Sequence, residues 1–269
     1  MRFRRPPLAL VLLAVIAPLG ACVDTLSVAR ERTGFISAIT RDAGGGTTYA
    51  LAFVGAFYRY NGLTVGIGTT DSCVALTYSI EPPTVASLPT LDAGLRLTTL
   101  ISGREDTLFQ SNSFGLLTYE LISVPAVPFT PGDTLTVTIP GTLDGFPAAT
   151  VRTRTAEPFT YSPIGTVASG AVLPITWTAA PQPGSMLVFS MRFNASGTGA
   201  IPDTQIRCQF VDDGSGTVEA AYAAAWSVSL AESRSVKVQR IRYSTVEIDP
   251  RTKVTLLSFF DRPLVLVTP

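Results

Sequence analysis

Cys22, Cys73 and Cys208 are the chain's three thiols, and no histidine accompanies them anywhere in its 269 residues. A cysteine nucleophile works as its thiolate, which a nearby histidine or other cation normally stabilises. A serine nucleophile in the common triad needs a histidine base. Both routes are closed, as are most zinc sites and the usual general base near neutral pH. A serine–lysine pair at Ser-x-x-Lys spacing is also absent, because Arg234 and Pro250 stand three residues before Lys237 and Lys253, the only lysines. The sequence holds neither a Gly-x-Ser-x-Gly elbow nor a phosphate-cradling glycine loop. Two carboxylates acting as acid and base need no histidine, yet no pair among the 20 acidic side chains stands out. The expectation is a non-enzymatic protein without a cofactor, with a carboxylate-dependent hydrolase as the surviving catalytic alternative.

Binding chemistry leaves more candidates. Asp212 and Asp213, with Asp203 or Asp249, offer clustered oxygens of the kind calcium takes. Their spacing matches no EF-hand, however, and Asp-Gly is a common turn sequence, so no metal is expected. Tyr58, Tyr60, Tyr222, Trp226 and Tyr243 are candidates for an aromatic platform that would hold a glycan, against the alternative that they pack in the core. Asn194-Ala195-Ser196 fits the glycosylation acceptor pattern.

The strongest spacing signal lies at the N-terminus. Arg2, Arg4 and Arg5 precede an apolar run from Leu8 to Ile16, followed by Pro18 and Leu19-Gly20-Ala21-Cys22. A positive start, a short apolar segment and small residues before a cleavage point make a secretory signal. The run is too short for a transmembrane helix, which needs about 20 apolar residues. Leu19-Gly20-Ala21-Cys22 resembles the lipobox of bacterial lipoproteins. That resemblance implies a lipid on the Cys22 sulfur, removal of residues 1–21, and a mature chain beginning at Cys22, held to the membrane. Val23 follows the cysteine and Asp24 comes one place too late for the enterobacterial inner-membrane retention signal. The resemblance therefore implies the outer membrane of a bacterial cell envelope.

The removed segment carries three of the 20 basic side chains and none of the 20 acidic ones, so the mature chain is acidic by three charges. No basic face for nucleic acid is expected. Hydrophobic residues at 46% against 15% charged exclude a disordered chain. The 22 Gly and 20 Pro, with abundant Thr and Val, favour many short strands joined by turns.

Four pieces follow: the signal peptide (1–21), a lipidated N-terminus and tether (22–33), and two β-sandwich domains (34–156 and 157–269). The fold class expected is all-β, two tandem immunoglobulin-like sandwiches, with a single large jelly-roll-type sandwich as the alternative. Thr47–Tyr60 is apolar on both parities and reads as a strand buried on both sides. In Thr69–Ile80 the apolar parity is Val74, Leu76, Tyr78 and Ile80, leaving Cys73 outward. Thr134–Ile139 points Leu135, Val137 and Ile139 inward. Phe159–Val167 and Ser185–Asn194 read as strands, the latter with Leu187, Phe189, Met191 and Phe193 inward. Thr204–Val211 turns Ile206, Cys208 and Phe210 inward. Glu219–Trp226 is the one helix-like stretch. From Val236 and Val238 to Ile241 and Tyr243 the inward parity changes, which predicts a β-bulge.

Cys73 and Cys208 then have two readings. In an oxidising compartment they bond and link the two halves. Alternatively, since their parities oppose, Cys208 is a buried thiol and Cys73 stands unpaired. Partners implied are the membrane through Cys22 and an envelope protein or glycan.

Overall fold

The computed structural model of the protein describes residues 31–42, 49–59, 71–77, 89–113, 116–121, 127–196, 201–262 and 265–266. Cys22, the signal segment, most of the tether, Tyr60 and the Asn61-Gly62 turn lie outside them. The fold is all-β, with one short helix among the described residues.

The first half forms β1 (Arg32–Asp42), β2 (Tyr49–Arg59), β3 (Ser72–Thr77), β4 (Arg96–Ile101), β5 (Arg104–Ser113), β6 (Leu116–Glu120), β7 (Val127–Phe129), β8 (Thr134–Ile139) and β9 (Ala149–Arg154). The second forms β10 (Leu173–Thr176), β11 (Ser185–Phe193), β12 (Thr204–Val211), β13 (Ser215–Val218), helix α1 (Ala220–Val228), β14 (Ser235–Asp249), β15 (Thr252–Asp261) and β16 (Val265–Leu266). Strand β1 begins at Arg32, so Arg32 and Thr33 belong to the sheet and not to the tether; Thr33 is buried opposite Lys253 and Tyr58.

Fourteen strands share one hydrogen-bonded sheet in the order β3-β12-β11-β14-β15-β1-β2-β6-β5-β4-β8-β9, with β16 on β14 and β7 on β2. All its pairings are antiparallel except β1 with β15. The strands do not close into two separate immunoglobulin sandwiches, because β1 and β3 of the first half complete the sheet of the second. Two hydrophobic cores form instead, and each draws residues from both sides of position 156. Core 1 gathers Ile36, Phe53, Phe57, Leu97, Tyr119 and Val137 with Val254 and Leu256 of β15. Core 2 gathers Trp177, Phe189, Phe193, Phe210, Trp226 and Val238 with Phe260, capped by α1 and the β10–β13 pair. Strand β9 returns against β14 and β15, so the sheet curls almost shut around core 1. No ladder pairing joins β9 to β14 among the described residues, which leaves a seam.

Strands β14 and β15 run through both cores, and one face of each shows how. On β14, Val236 and Val238 enter core 2, Arg240 and Arg242 follow, and Val246 and Ile248 pack on core 1. On β15 the matching face is Val254, Leu256, Ser258 and Phe260, with Arg242 opposite Ser258 and Arg240 opposite Phe260. The bulge predicted near Ile241 is therefore not there. The register runs unbroken from Gln239 to Glu247 and shifts only between Glu247 and Asp249. Parity never switches; two arginines occupy inward positions, and Ile241 joins a small third cluster on the opposite face with Met186, Val188 and Leu257.

Three other expectations are corrected. Strand β2 is fully buried on one parity, through Leu51, Phe53 and Phe57, and only partly on the other, where Ala56 is buried, Ala52 and Tyr58 are half-buried and Val54 is exposed. In β3 the expected inward residues face solvent: Val74 and Leu76 are 51% and 41% exposed, Ala75 and Thr77 are exposed as well, and Cys73 is the one that packs on core 2. Phe159–Val167 is not a strand, for only Tyr161 bridges to Trp177; Pro158 and Pro163 remove ladder donors there.

Candidate functional site

The junction between the cores is built from charge. Arg240 is fully buried and donates from Nε to Asp212 Oδ2 at 2.7 Å and from Nη2 to Oδ1 at 3.0 Å. Its other donors reach the carbonyls of Glu157, Pro158 and Thr178, so all five guanidinium N–H groups are used. Its face lies 5.0 Å over the Phe159 ring. Asp212 also accepts from Trp177 Nε1 at 2.8 Å and from Ser185 Oγ at 2.7 Å. Beside this cluster, Arg242 grips Glu157 with a bidentate pair at 2.7 and 2.8 Å and donates to the carbonyls of Gln182 and Pro183. Ser258 accepts the backbone N–H of Ala156.

Arg240, Arg242 and Ser258 each bond the chain crossing at Ala156–Pro158. Buried ion pairs contribute little net stability but leave a large penalty when broken. What they supply here is register, by tying the crossing segment to β14 at two successive inward positions.

The same geometry shows what engages each calcium candidate. Both carboxylate oxygens of Asp212 are occupied by internal donors, so Asp212 is a buried countercharge and not a cation ligand. Asp213 is exposed and accepts the Ser215 N–H in a turn. Asp203, a further candidate, accepts from the Ala195 and Ser196 N–H groups and from Thr204 Oγ1; these bonds, led by Ala195, hold its carboxyl below the usual range. The Asp249 carboxyl is likewise held low, first by the Arg251 N–H. Asn194 is buried, with its Nδ2 donating to the Ile201 carbonyl, so its amide is not presented for glycosylation.

Among the described residues, which leave out Tyr60, the aromatic candidates do not assemble into one platform. Trp226 is fully buried in core 2 and Tyr222 packs against that core. The correction has a plain physical reason: α1 turns the Ala223 and Trp226 face inward to cap the sheet. Tyr58 is half-buried on β2, and burial raises its hydroxyl pKa. Tyr243 differs, being 39% exposed on β14.

Cys73 and Cys208 face each other across the β3–β12 pair and form a disulfide, with Cα atoms 4.0 Å apart. Two residues of opposite halves, 135 apart in sequence, are thereby bonded.

A second polar cluster holds the loop before β4. Asp92 Oδ1 accepts from Tyr119 Oη, Gln110 Nε2 and the Gly94 N–H, while Tyr119 Oη accepts the Ala93 N–H at 2.8 Å. Burial, with the nearby Asp92 charge, pushes the Tyr119 hydroxyl up to about 12.

No family model and no curated protein matches this chain. Among solved structures, the yeast δ-COP-I μ-homology domain in complex with a Dsl1 peptide is similar over 87% of this chain and 98% of its own, at 10% identity and a TM-score of 0.23. A DUF3823 family protein from Parabacteroides merdae is similar over 89% and 100%, at 9% identity and a TM-score of 0.20. Likenesses this distant assign no chemistry, so function rests on the chain's own residues.

On the outer surface, the mouth of the β9–β14 seam opens into a recess of about 320 Å³. Arg152, Arg154 and Thr134 line it from β8 and β9, with Tyr243 and Ser244 from β14 and Arg242 at its floor. Arg152 and Arg154 were not singled out by sequence reasoning. Their signal is faint, two arginines alternating on a strand otherwise read as an ordinary sheet surface.

Proposed function

We propose that the protein is a lipid-anchored, non-catalytic binding or structural module of the bacterial envelope. The observation that carries this reading is the Leu19-Gly20-Ala21-Cys22 signature behind three arginines and a short apolar run. The lipid on Cys22 is the membrane partner, and the outer membrane is the favoured site because Val23 follows the cysteine. The folded part suits this role mechanically. A disulfide at one edge of the sheet and the Arg240–Asp212 and Arg242–Glu157 pairs at the junction stiffen a surface presented near the membrane.

Those pairs also bear on chemistry. Among the described residues Asp212 and Glu157 are the carboxylates most sequestered from water, and both are consumed by guanidinium groups. This disfavours the carboxylate-dependent hydrolase. A second reading, glycan binding, is favoured by Tyr243, exposed beside the recess at the seam.

Substituting Cys22→Ala tests the anchor. The parent partitions into membranes and the variant is released into the soluble fraction; equal partitioning of the two contradicts lipid anchoring.

A further inference from the structure

We propose that the recess at the mouth of the β9–β14 seam binds an acidic glycan through Arg152, Arg154 and Tyr243. The inference rests on the binding-module reading and names the ligand class for it.

Charge balance carries the argument. Arg152, Arg154, Arg242 and Tyr243 are among the residues that line the recess, and no carboxylate lines it. Arg242 is neutralised by Glu157. Arg152 and Arg154 have no such partner: among the described residues neither makes an ion pair. Arg154 makes one long contact, 3.5 Å, to the Gly132 carbonyl. In a protein whose mature chain is net acidic, two uncompensated guanidinium groups at one recess are a local reversal of charge.

The placement follows from the strand pattern. Arg152 and Arg154 alternate with the core-facing Val151 and half-buried Thr153, so both project from the same face of β9, about 7 Å apart along the strand. Cross-strand pairing sets Thr134 beside Arg154 and Thr136 beside Arg152. On the far side of the seam, Tyr243 presents a partly exposed ring. Guanidinium groups recognise carboxylates or sulfates through paired N–H donors. The ring offers an apolar face for a pyranose, and the Thr134 hydroxyl, on the same face as Arg154, can exchange hydrogen bonds with sugar hydroxyls. The recess is shallow and open to solvent, with about 320 Å³ to receive a ligand. An acidic peptide, which brings its own carboxylates, would use the guanidinium groups alone; the ring and the Thr134 hydroxyl are what favour a sugar.

The test uses the full-length protein in detergent, titrated calorimetrically with oligogalacturonate, with a neutral cello-oligosaccharide and poly-glutamate as comparisons. Oligogalacturonate binds saturably and more weakly as salt rises; the neutral sugar and poly-glutamate bind at least about tenfold more weakly. Arg152→Ala/Arg154→Ala reduces oligogalacturonate affinity by about tenfold or more, and Tyr243→Ala reduces it severalfold, with unchanged thermal unfolding as the control for folding. Arg152→Lys/Arg154→Lys, which keeps the charge but loses the fork, falls between. No binding of oligogalacturonate, affinity unchanged in the double alanine variant, or poly-glutamate binding as tightly would each overturn the proposal. Membrane partitioning of the parent against Cys22→Ala reads the anchor separately, so failure of the recess leaves that reading standing.

Discussion

Arg240 Nε lies 2.7 Å from Asp212 Oδ2, with side-chain exposures of 0% and 2%, and this pair joins β14 to the β12–β13 turn where the two cores meet. Asp212→Ala leaves the guanidinium buried without its countercharge. The expected loss is about 3–5 kcal/mol, the usual cost of breaking a buried pair from one side. Replacing both partners by apolar residues of similar volume, Asp212→Leu with Arg240→Met, costs less than the single change. Urea unfolding midpoints of the parent and the two variants measure this; equal losses in both variants contradict it.

The disulfide gives a second prediction. Cys73→Ser/Cys208→Ser, or reduction of the parent, lowers stability by about 2–5 kcal/mol. Hydrogen exchange then accelerates first at β3 and β12, because β3 is a short strand at the end of the sheet order. Val74→Thr, at an exposed position, changes stability by less than about 0.5 kcal/mol. A large effect at Val74 with none at the cysteines would mean the strand faces the other way.

Tyr119 sets an alkaline limit. Its hydroxyl is held neutral in the folded state up to about pH 12, against an ordinary value of 10.0. Its contribution is therefore complete below pH 10 and is lost as pH rises through about 12. Tyr119→Phe removes the acceptor for the Ala93 N–H and costs about 1–3 kcal/mol near neutral pH. The variant also shows a shallower loss of stability between pH 10 and 12. A parallel pH profile for parent and variant would place the alkaline transition elsewhere.

Legibility in the sequence followed the simplicity of each strand's environment. Thr134–Ile139 alternates between a buried apolar face and threonines, so its bounds and inward residues were readable directly. Thr204–Val211 was readable for the same reason. Strand β5 carries Arg104, Glu105, Asp106 and Gln110, with Leu108 its one buried apolar side chain, and its polarity hid it. Hydrophobicity misassigned β3 because a disulfide, not an apolar pair, decides which of its faces turns inward. Arg240 and Arg242 looked like outward positions, and that appearance produced the false bulge; their partners Asp212 and Glu157 lie 28 and 85 residues away, beyond any local pattern. The Cys73–Cys208 pairing was open for a related reason, since the argument against it took Cys73 to point outward, whereas it packs on core 2. Of the aromatic candidates, Tyr243 could be chosen over Trp226 only once burial was visible, and the unpaired arginines beside it depend on the seam, which no sequence period announces.

Lipidation of Cys22 is tested most directly by intact and N-terminal peptide mass spectrometry of the protein purified from bacterial membranes. The predicted result is a mature chain that starts at Cys22 and carries a diacylglyceryl mass on its sulfur. A mature N-terminus at any other residue, or an unmodified Cys22, contradicts the assignment.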